Sequence, residues 1–278
     1  MTKYTSYQDR YFAEQLLLKR PQSSYDSLAS AMSGVKVDLN PHQVDAALFA
    51  MQSPLSSGVL MADEVGLGKT IEAGLVLAQY WAERKRNILL IVPAALRTQW
   101  RSELSEKFYI DSLILESSNF NKMRKEGCLN PFDAKNQVVI CSYNFAANKD
   151  SFVHAMPWDL VVLDEAHRLR NVYKPQNVTA NKLKNALKGR KKLLLTATPL
   201  QNNLMELYGL VSFIDEHVFG DAKTFREMYV AVNNEELRNR NLRDRLSVFC
   251  KRTLRKQVTE YVRYTERHAI LQEYTPTK

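Results

Sequence analysis

The stretch Gly58-Val-Leu-Met-Ala-Asp-Glu-Val-Gly-Leu-Gly-Lys-Thr-Ile-Glu-Ala-Gly74 decides the fold of this chain. It predicts a short buried strand over 59–62, a glycine-containing turn, and a helix that begins near Lys69. Such a turn presents successive backbone N–H groups at a helix N-terminus, where the helix dipole adds positive potential. The stretch therefore predicts a cradle for phosphate groups. Lys69 can reach the β- and γ-phosphates of a nucleotide, and the Thr70 hydroxyl can ligate Mg²⁺.

The phosphate loop departs from its usual pattern at one position. The first glycine of G-x-x-x-x-G-K-[ST] is replaced here by Asp63. A glycine-rich strand-to-helix turn that binds no ligand would show the same letters. The stretch by itself leaves both interpretations open, and other motifs must decide between them.

The composition is that of a globular protein with excess positive charge. The 278 residues are 45% hydrophobic and 25% charged, and 39 Lys+Arg against 30 Asp+Glu give a net charge of +9. The length permits one large α/β domain or two small ones. Much of the excess lies between residues 238 and 267, where basic residues far outnumber acidic ones. This segment is compatible with a surface for a polyanion and equally with a solvated amphipathic helix.

The cysteines and the hydropathy pattern bear on the cellular setting. Cys128, Cys141 and Cys250 lack the spacing of a disulfide framework or a zinc site, which favours a reducing compartment. Residues 1–10 are polar and unlike a secretory signal, and no window approaches the ~18 apolar residues of a membrane span. We therefore expect a soluble, intracellular protein that does not bind membranes. We also expect it to be cytoplasmic and a monomer.

Short apolar runs separated by helical sequence predict the architecture. After the first strand, such runs fall at 87–93, 112–116, 137–141, 160–163 and 192–196. The alternation predicts a doubly wound, mostly parallel sheet flanked by helices, with ligands bound beyond the carboxyl ends of the strands. From Leu204 onward the pattern is helical, with turns expected at Gly209 and Gly220.

These patterns divide the chain into three parts. Residues 1–36 form a predicted N-terminal helical extension, because aromatic and leucine side chains such as Tyr11 and Leu16 recur at helical spacing. Residues 37–215 form the predicted nucleotide-binding lobe. Residues 216–278 form a predicted helical and basic extension.

The run Trp158-Asp-Leu-Val-Val-Leu-Asp-Glu-Ala-His-Arg-Leu-Arg-Asn171 places two acids at the end of a predicted strand. A magnesium–nucleotide site needs one carboxylate to hold the metal and a second to orient or deprotonate water. We assign Asp164 to Mg²⁺ and Glu165 to water activation. An acidic loop that caps the next helix is the alternative, but the phosphate loop upstream favours the functional interpretation.

Two further polar groups have a functional and a neutral interpretation. His167 follows the acids and can contact the hydroxyls of Thr196 and Thr198 as a relay, or it can be a plain surface histidine. Gln43 follows Asn40, a possible helix cap, and Pro41, which suits a first helical turn. Its amide pairs a donor with an acceptor and can read the edge of adenine, or it can be a solvated residue at a helix start.

Five motifs in order resemble the first RecA-like lobe of the superfamily 2 ATPases, and more narrowly the Swi/Snf group. They are Pro41-His-Gln43, Asp63-Glu-Val-Gly-Leu-Gly-Lys-Thr70, Val92-Pro-Ala-Ala-Leu-Arg-Thr-Gln-Trp100, Asp164-Glu-Ala-His-Arg-Leu-Arg-Asn171 and Leu195-Thr-Ala-Thr-Pro-Leu-Gln-Asn-Asn203. Residues 249–258 resemble the basic segment that leads toward the second lobe of that group. The phosphate loop is most similar to the bacterial branch that includes the RNA-polymerase-recycling ATPase.

The resemblance implies a P-loop NTPase lobe that uses ATP and Mg²⁺. The positions that would bind ATP are Gln43, Glu64, Val65, Gly66, Leu67, Gly68, Lys69 and Thr70. Thr70 and Asp164 would hold the metal, and Glu165 would be the catalytic base. His167, Thr196 and Thr198 would couple hydrolysis to movement. The family's Thr-Gly-Thr-Pro is Thr-Ala-Thr-Pro here, a small change that we expect to be tolerated.

The resemblance also implies a path for nucleic acid across the strand ends. The matching positions are Arg97, Thr98, Gln99, Ser142 and Tyr143. Hydroxyls, amides and arginines at strand ends can hold phosphates without reading bases. Ordinary polarity of surface loops is the alternative for each of them.

The implied parent is an ATPase that depends on double-stranded DNA, translocates along the duplex and remodels a bound protein. A second RecA-like lobe would supply arginines to the γ-phosphate, and none follows Arg267 in this sequence. We therefore expect the chain alone to bind ATP weakly and to be nearly inactive. Two rivals stay open: a helicase that separates strands of DNA or RNA, and a non-catalytic nucleic-acid-binding module with a relic nucleotide site.

Overall fold

The computed structural model describes residues 28, 32, 34–51, 57–201, 203–232 and 234–260. Most of the predicted N-terminal extension, 1–36, and the end of the basic extension beyond residue 260 lie outside the described residues. The helices are α1 (Pro41–Met51), α2 (Lys69–Ala82), α3 (Arg97–Phe108), α4 (Ser117–Lys125), α5 (Tyr143–Asn148), α6 (Asp150–His154), α7 (Val178–Ala186), α8 (Leu204–Ile214), α9 (Ala222–Phe225) and α10 (Glu235–Leu246).

The described strands form one parallel sheet in the order β3-β4-β2-β5-β6-β1-β7. They are β1 (Gly58–Met61), β2 (Ile88–Val92), β3 (Ser112–Ile114), β4 (Val138–Ser142), β5 (Leu160–Leu163), β6 (Lys192–Leu195) and β7 (Cys250–Lys251). In register, Met61 lies opposite Leu195 and Ile91 lies opposite Leu163. The carboxyl ends of β1, β6, β5 and β2 therefore meet at one edge of the sheet.

The central strands are apolar on both faces because helices cover both. Along β2, Ile88, Leu90 and Val92 pack in one core with α1, α2 and α3. Leu89 and Ile91 alternate into a second core, which α4 to α8 close. Continuous apolar strands of this kind are typical of a parallel sheet buried between helical layers. The predicted doubly wound fold is confirmed.

A third, smaller core joins the helical extension to the lobe. Phe219, Phe225 and Tyr229 pack on the outer face of α8, and Leu242 of α10 joins them. Aromatic pairs such as Phe219–Phe225, with ring centroids 5.0 Å apart, make up much of this core. None of the helices in the described part of the chain is long and apolar enough to cross a bilayer.

The structure corrects two predictions for the region after Leu204. Gly209 does not make a turn; it lies within α8, where a Cβ atom would come within 1.9 Å of the Arg170 carbonyl oxygen. Glycine at this position therefore permits close packing of the helix. The region is also not helical throughout, because Cys250 and Lys251 form β7, paired with Leu60 and Met61. Gly220, at φ 69°, does lie outside the helices.

Candidate nucleotide site

The phosphate loop runs from the end of β1 to the start of α2. Gly66 and Gly68 have φ angles of 87° and 92°, a region in which only glycine is unstrained. A Cβ atom on Gly68 would also lie 2.4 Å from Gln43 Nε2. The two glycines thus permit a tight turn in which the N–H groups before α2 gather at the helix N-terminus.

Lys69 lies in the first turn of α2 and reaches back across the loop. Its Nζ donates to the carbonyl oxygens of Asp63, at 2.8 Å, and Glu64, at 3.3 Å. The ammonium group is held by backbone oxygens and has no carboxylate among these partners. Its positive charge is therefore available to a phosphate group.

Asp63, which replaces the usual glycine, has a structural partner. Its carboxylate is fully buried, and Oδ1 accepts a hydrogen bond of 2.6 Å from the backbone N–H of Thr253. The next acid in the core is Glu72 of α2, whose side chain is also buried. Burial and the nearby Asp63 raise the pKa of Glu72 to about 9, so Glu72 is protonated at neutral pH. This pair of buried acids was not predicted from the sequence. The available signal was Glu72, an acid within the apolar sequence of α2.

Asp164 follows β5, two strands from the phosphate loop. Its Oδ1 accepts from the N–H of Glu165 at 2.8 Å, and its Oδ2 accepts from the indole Nε1–H of Trp100 at 2.8 Å. Burial raises the pKa of Asp164, while these two hydrogen bonds act in the opposite direction. They fix the orientation of the carboxylate.

Trp100 is a functional neighbour that the sequence analysis did not assign. It closes the motif that begins at Val92, and it is only 2% exposed. A buried indole usually requires a partner for its single N–H donor, which was the available signal. The structure provides that partner in Asp164.

One cavity of about 350 Å³ joins the two predicted motifs. Its lining comes from the loops after β1, β2, β5 and β6, and consists of Val65, Gly66, Gly68, Lys69, Thr70, Leu96, Gln99, Trp100, Asp164, Glu165 and Ala197. The structure therefore brings the phosphate loop, the Thr70 hydroxyl and both acids to a single space. The cavity lies at the carboxyl edge of the sheet, where ligands of such folds bind.

Glu165 is held in a left-handed backbone conformation, with φ 51°. Its Oε2 lies 3.0 Å from Nδ1 of His167, and both side chains are about one third exposed. A carboxylate at the cavity wall, partly open to water and next to an imidazole, has the geometry that a general base requires. Glu165 thus lines the cavity while contacting His167, the residue predicted to be a relay to Thr196 and Thr198.

The loop after β6 and the start of α1 complete the surroundings. Thr196 is buried, and its Oγ1 accepts from the N–H of Thr198 at 3.2 Å. Gln43 is 5% exposed; its Nε2 donates to Leu67 O at 3.0 Å and its Oε1 accepts from Asn40 N at 3.1 Å. The amide predicted to read adenine therefore contacts the phosphate loop in this structure.

The residues predicted to line a nucleic-acid path fall into two groups. Arg97 and Ser142 line a second cavity of about 340 Å³ at the same edge of the sheet, and Arg97 pairs with Glu116 at 3.2 Å. Thr98 is exposed beside them on α3, and Gln99 lines the nucleotide cavity instead. Tyr143 lies apart from the surface: it is 5% exposed and donates to the backbone oxygen of Asp164 at 2.7 Å.

A phosphate loop after one parallel strand, facing two acids at the end of a second strand two positions away in the sheet, defines a nucleotide-binding lobe of the RecA type. Comparison with known families identifies the group. The model of the SNF2-related domain matches residues 28–274, and the chain belongs to this family.

Individual relatives agree with this assignment. An uncharacterized ATP-dependent helicase, YqhH, from Bacillus subtilis (strain 168) is 35% identical over 207 residues, which are 73% of this chain and 34% of that protein. The SWI2/SNF2 ATPase core of Sulfolobus solfataricus in complex with dsDNA superposes with a TM-score of 0.67 and 21% identity, over 80% of this chain and 45% of that one. The SWI2/SNF2 ATPase core domain from the same organism superposes with a TM-score of 0.67 and 20% identity, over 83% of this chain and 46% of that one. The chain thus spans less than half the length of these relatives.

Proposed function

We propose that this chain is the ATP-binding lobe of a Swi/Snf-type ATPase that depends on double-stranded DNA and remodels protein–nucleic acid complexes. The observation that carries the proposal is the single cavity lined by Lys69, Thr70, Asp164 and Glu165. Four groups from two segments of the chain, which lie almost a hundred residues apart in sequence, converge there in the arrangement that phosphoryl transfer to water requires.

Each group has a task that its position allows. The backbone N–H groups of residues 65–68 and the Lys69 ammonium bind the phosphates of ATP, whereas the Glu64 N–H is bonded to the carbonyl oxygen of Thr253. Thr70 and Asp164 supply a hydroxyl and a carboxylate oxygen at one wall of the cavity, the kind of donors that Mg²⁺ prefers. The metal, when bound, would neutralise charge on the phosphate oxygens. Glu165 orients the attacking water and accepts its proton, and His167 holds the Glu165 carboxylate in place.

Adenine recognition by Gln43 requires a local exchange of partners. Both polar atoms of the amide are occupied, by Leu67 O and Asn40 N. Adenine offers an equivalent donor and acceptor pair, so that Gln43 can change partners without leaving a buried group unpaired. Thr196 and Thr198, in the loop after β6, lie next to Ala197 in the cavity wall, where a change at the phosphates can reach them.

The DNA partner is proposed on the similarity to the S. solfataricus core that was described in complex with dsDNA. Arg97 and Ser142 offer a guanidinium and a hydroxyl at the edge of the sheet, and Thr98 is exposed on α3 beside them. Groups of this kind hold phosphates without reading bases. A cytoplasmic setting is supported by free thiols at Cys128, Cys141 and Cys250.

The roles of the acids can be separated by Glu165→Gln in the full-length protein. We expect ATP turnover in the presence of duplex DNA to fall roughly 10²–10⁴-fold, because the general base is lost. ATP affinity, measured with a fluorescent analogue and Mg²⁺, should be nearly unchanged. Glu106→Gln, an exposed glutamate of α3, is the matched control. Unchanged turnover in the Glu165 variant would contradict its role, and a wild-type protein that binds no ATP would contradict the whole proposal.

A helicase that separates strands is the second candidate, because the matched B. subtilis protein carries the name of an ATP-dependent helicase. The two candidates differ in what ATP hydrolysis achieves. A strand-displacement assay with the full-length protein distinguishes them: release of a labelled strand supports the helicase, and ATP turnover on duplex DNA without release supports the translocase.

A further inference from the structure

The outer side of the phosphate loop is covered by residues 249–258, which we call the strap. Backbone hydrogen bonds join it to β1 and the loop in sequence. Leu60 N donates to Phe249 O at 2.7 Å, Ala62 N donates to Lys251 O at 2.7 Å, and Glu64 N donates to Thr253 O at 3.2 Å. The strap therefore continues from β7 along the edge of the loop.

Two acids of the loop bind the strap in return. Asp63 Oδ1 accepts from Thr253 N at 2.6 Å, and Glu64 Oε2 accepts from Arg255 N at 2.8 Å. The first of these bonds is buried, because Asp63 is 0% and Thr253 is 8% exposed. A hydrogen bond from a backbone N–H to a carboxylate is charge-assisted and stronger than a neutral one. The strap is thus attached to the loop through charged groups as well as through the sheet.

The Arg255 side chain makes the last contact, at the tip of the loop. Its Nε donates to the Val65 carbonyl oxygen at 3.0 Å, and its Nη2 donates to the same oxygen at 2.6 Å. A Cβ atom on Gly66 would lie 3.3 Å from Nη2. The guanidinium therefore lies against the peptide group between Val65 and Gly66.

The orientation of this peptide group matters for phosphate binding. A phosphate cradle works because successive N–H groups point toward the anion while the carbonyl oxygens point away. Gly66, with φ 87°, has no side chain that would restrict rotation of the neighbouring peptide. A carbonyl turned into the cradle would repel the phosphates, so an external donor that holds the Val65 oxygen outward favours the binding conformation.

We infer that Arg255 is a positioning residue for the phosphate loop, and that nucleotide binding is coupled through it to docking of the strap. This inference rests on the proposed nucleotide site. Because coupling between two binding equilibria is reciprocal, a docked strap strengthens nucleotide binding and a bound nucleotide stabilises the docked strap.

Nucleotide affinity of Arg255 variants tests the inference in the full chain. Arg255→Ala should weaken binding of a fluorescent ATP analogue roughly tenfold, because a paired charge-assisted contact is lost. Lys256→Ala removes an equal charge from the neighbouring, exposed residue. Its affinity for the analogue should stay within about twofold of wild type, because exposed charges contribute little. Arg255→Lys keeps the charge but not the planar fork, so we expect only part of the affinity to return.

Hydrogen exchange provides a readout that does not depend on a variant. In the wild-type protein, saturating nucleotide should slow exchange of the Thr253 and Arg255 amides, whose protons are bonded to the loop acids. In Arg255→Ala, the same nucleotide should protect these amides less. A purely structural role would lower thermal stability and leave the affinity of the folded variant unchanged.

Four outcomes would overturn the inference. Wild-type affinity in Arg255→Ala would show that Arg255 does not position the loop. Equal weakening in Lys256→Ala, or full recovery in Arg255→Lys, would show that positive charge alone explains the effect. Strap amides in the wild-type protein that exchange equally fast with and without nucleotide would exclude the coupling. These results would leave the proposed function intact, whereas a wild-type protein that binds no nucleotide at all would contradict both.

Discussion

The two ends of the central sheet both contain buried charge, but they use it differently. At the carboxyl end, a cavity of about 350 Å³ is lined by Lys69, Asp164 and Glu165. At the amino end, a cavity of about 180 Å³ is lined by Lys192, Asp215 and Glu216, with Lys184 and Ser57 beside them. The same strands connect the two ends. The difference between the ends lies in the partners of their charged side chains.

At the amino end the charged side chains have polar or oppositely charged side chains as neighbours. Ser57 Oγ donates to Asp215 at 3.1 Å, and Lys184 pairs with Glu216 at 3.1 Å. Lys192 is 4% exposed and donates to the Ile214 carbonyl at 3.3 Å, with Asp215 nearby. At the carboxyl end, Lys69 and Asp164 make these hydrogen bonds with carbonyl, N–H and indole groups, not with a side chain of opposite charge. A site for a charged ligand thus keeps its charged side chains available, whereas a structural cluster pairs them with one another.

Substitution of Lys69 should give the largest effect and should separate binding from stability. We expect Lys69→Met to weaken ATP binding by roughly two orders of magnitude, since losing a hydrogen bond between charged groups costs up to about 3 kcal/mol. Its two partners are backbone oxygens, so the free energy of unfolding should change by only about 1 kcal/mol. Nucleotide titration and urea unfolding measure the two quantities. A variant that binds ATP normally would contradict the asymmetry between the two ends.

Lys192 provides the complementary test at the other end of the sheet. Burial lowers the pKa of Lys192 from 10.5 to about 8, with Asp215 and Glu216 opposing the shift and Lys184 adding to it. Between these values the unfolded chain binds more protons than the folded chain, so the free energy of unfolding rises with pH. The full rise is roughly 3 kcal/mol, and well below pH 8 the free energy of unfolding does not change with pH on account of Lys192, because the lysine is charged in both states.

The Lys192→Met variant should lack this rise while binding ATP normally. At pH 7 the wild-type protein buries a charge that the variant lacks, so the variant should be the more stable of the two. This difference in the free energy of unfolding should shrink between pH 8 and pH 10.5, as measured by urea unfolding at a series of pH values. Lys188→Met, an exposed lysine that lines the same cavity, is the matched control and should follow the wild type. Identical pH profiles for wild type and Lys192→Met would show that burial of this charge has no energetic consequence.

The sequence predicted the carboxyl end well because its signals are local. The strands before the two acids and the phosphate loop, β5 and β1, are short apolar runs, and each motif follows directly after its strand. Topology therefore brings Lys69, Asp164 and Glu165 together. The family assignment followed from the same motifs and is confirmed by the match over residues 28–274.

What the sequence did not predict depends on tertiary contacts. The two-residue strand β7 has no apolar pattern of its own and forms because Leu60 and Met61 at the sheet edge offer partners. Gly209 was expected in a turn, since nothing local indicates that the Arg170 carbonyl approaches α8 at that point. The bond between Trp100 and Asp164 joins residues 64 positions apart, and no spacing rule relates them.

Substitution of Trp100 should give the smallest effect, and it tests whether the hydrogen bond from Trp100 prepares Asp164 for Mg²⁺. In Trp100→Phe, Asp164 loses one of the two hydrogen bonds that orient its carboxylate and oppose the rise in its pKa. We expect the Mg²⁺ concentration needed for tight ATP binding to rise about tenfold, because partners that orient a metal ligand contribute to metal affinity. ATP binding without Mg²⁺ should be nearly unchanged.

A matched control for that substitution exists in the core on the other face of the sheet. Trp158 is also buried, and its Nε1 donates to the Val153 carbonyl at 2.8 Å, outside the nucleotide cavity. Trp158→Phe removes the same indole donor and leaves a similar space, so it should lower stability without changing the Mg²⁺ requirement. If both variants shift the Mg²⁺ requirement equally, loosened packing explains the effect. If only Trp100→Phe does, the charge of Asp164 depends on an oriented donor, as expected for an end of the sheet that keeps its charges open to a ligand.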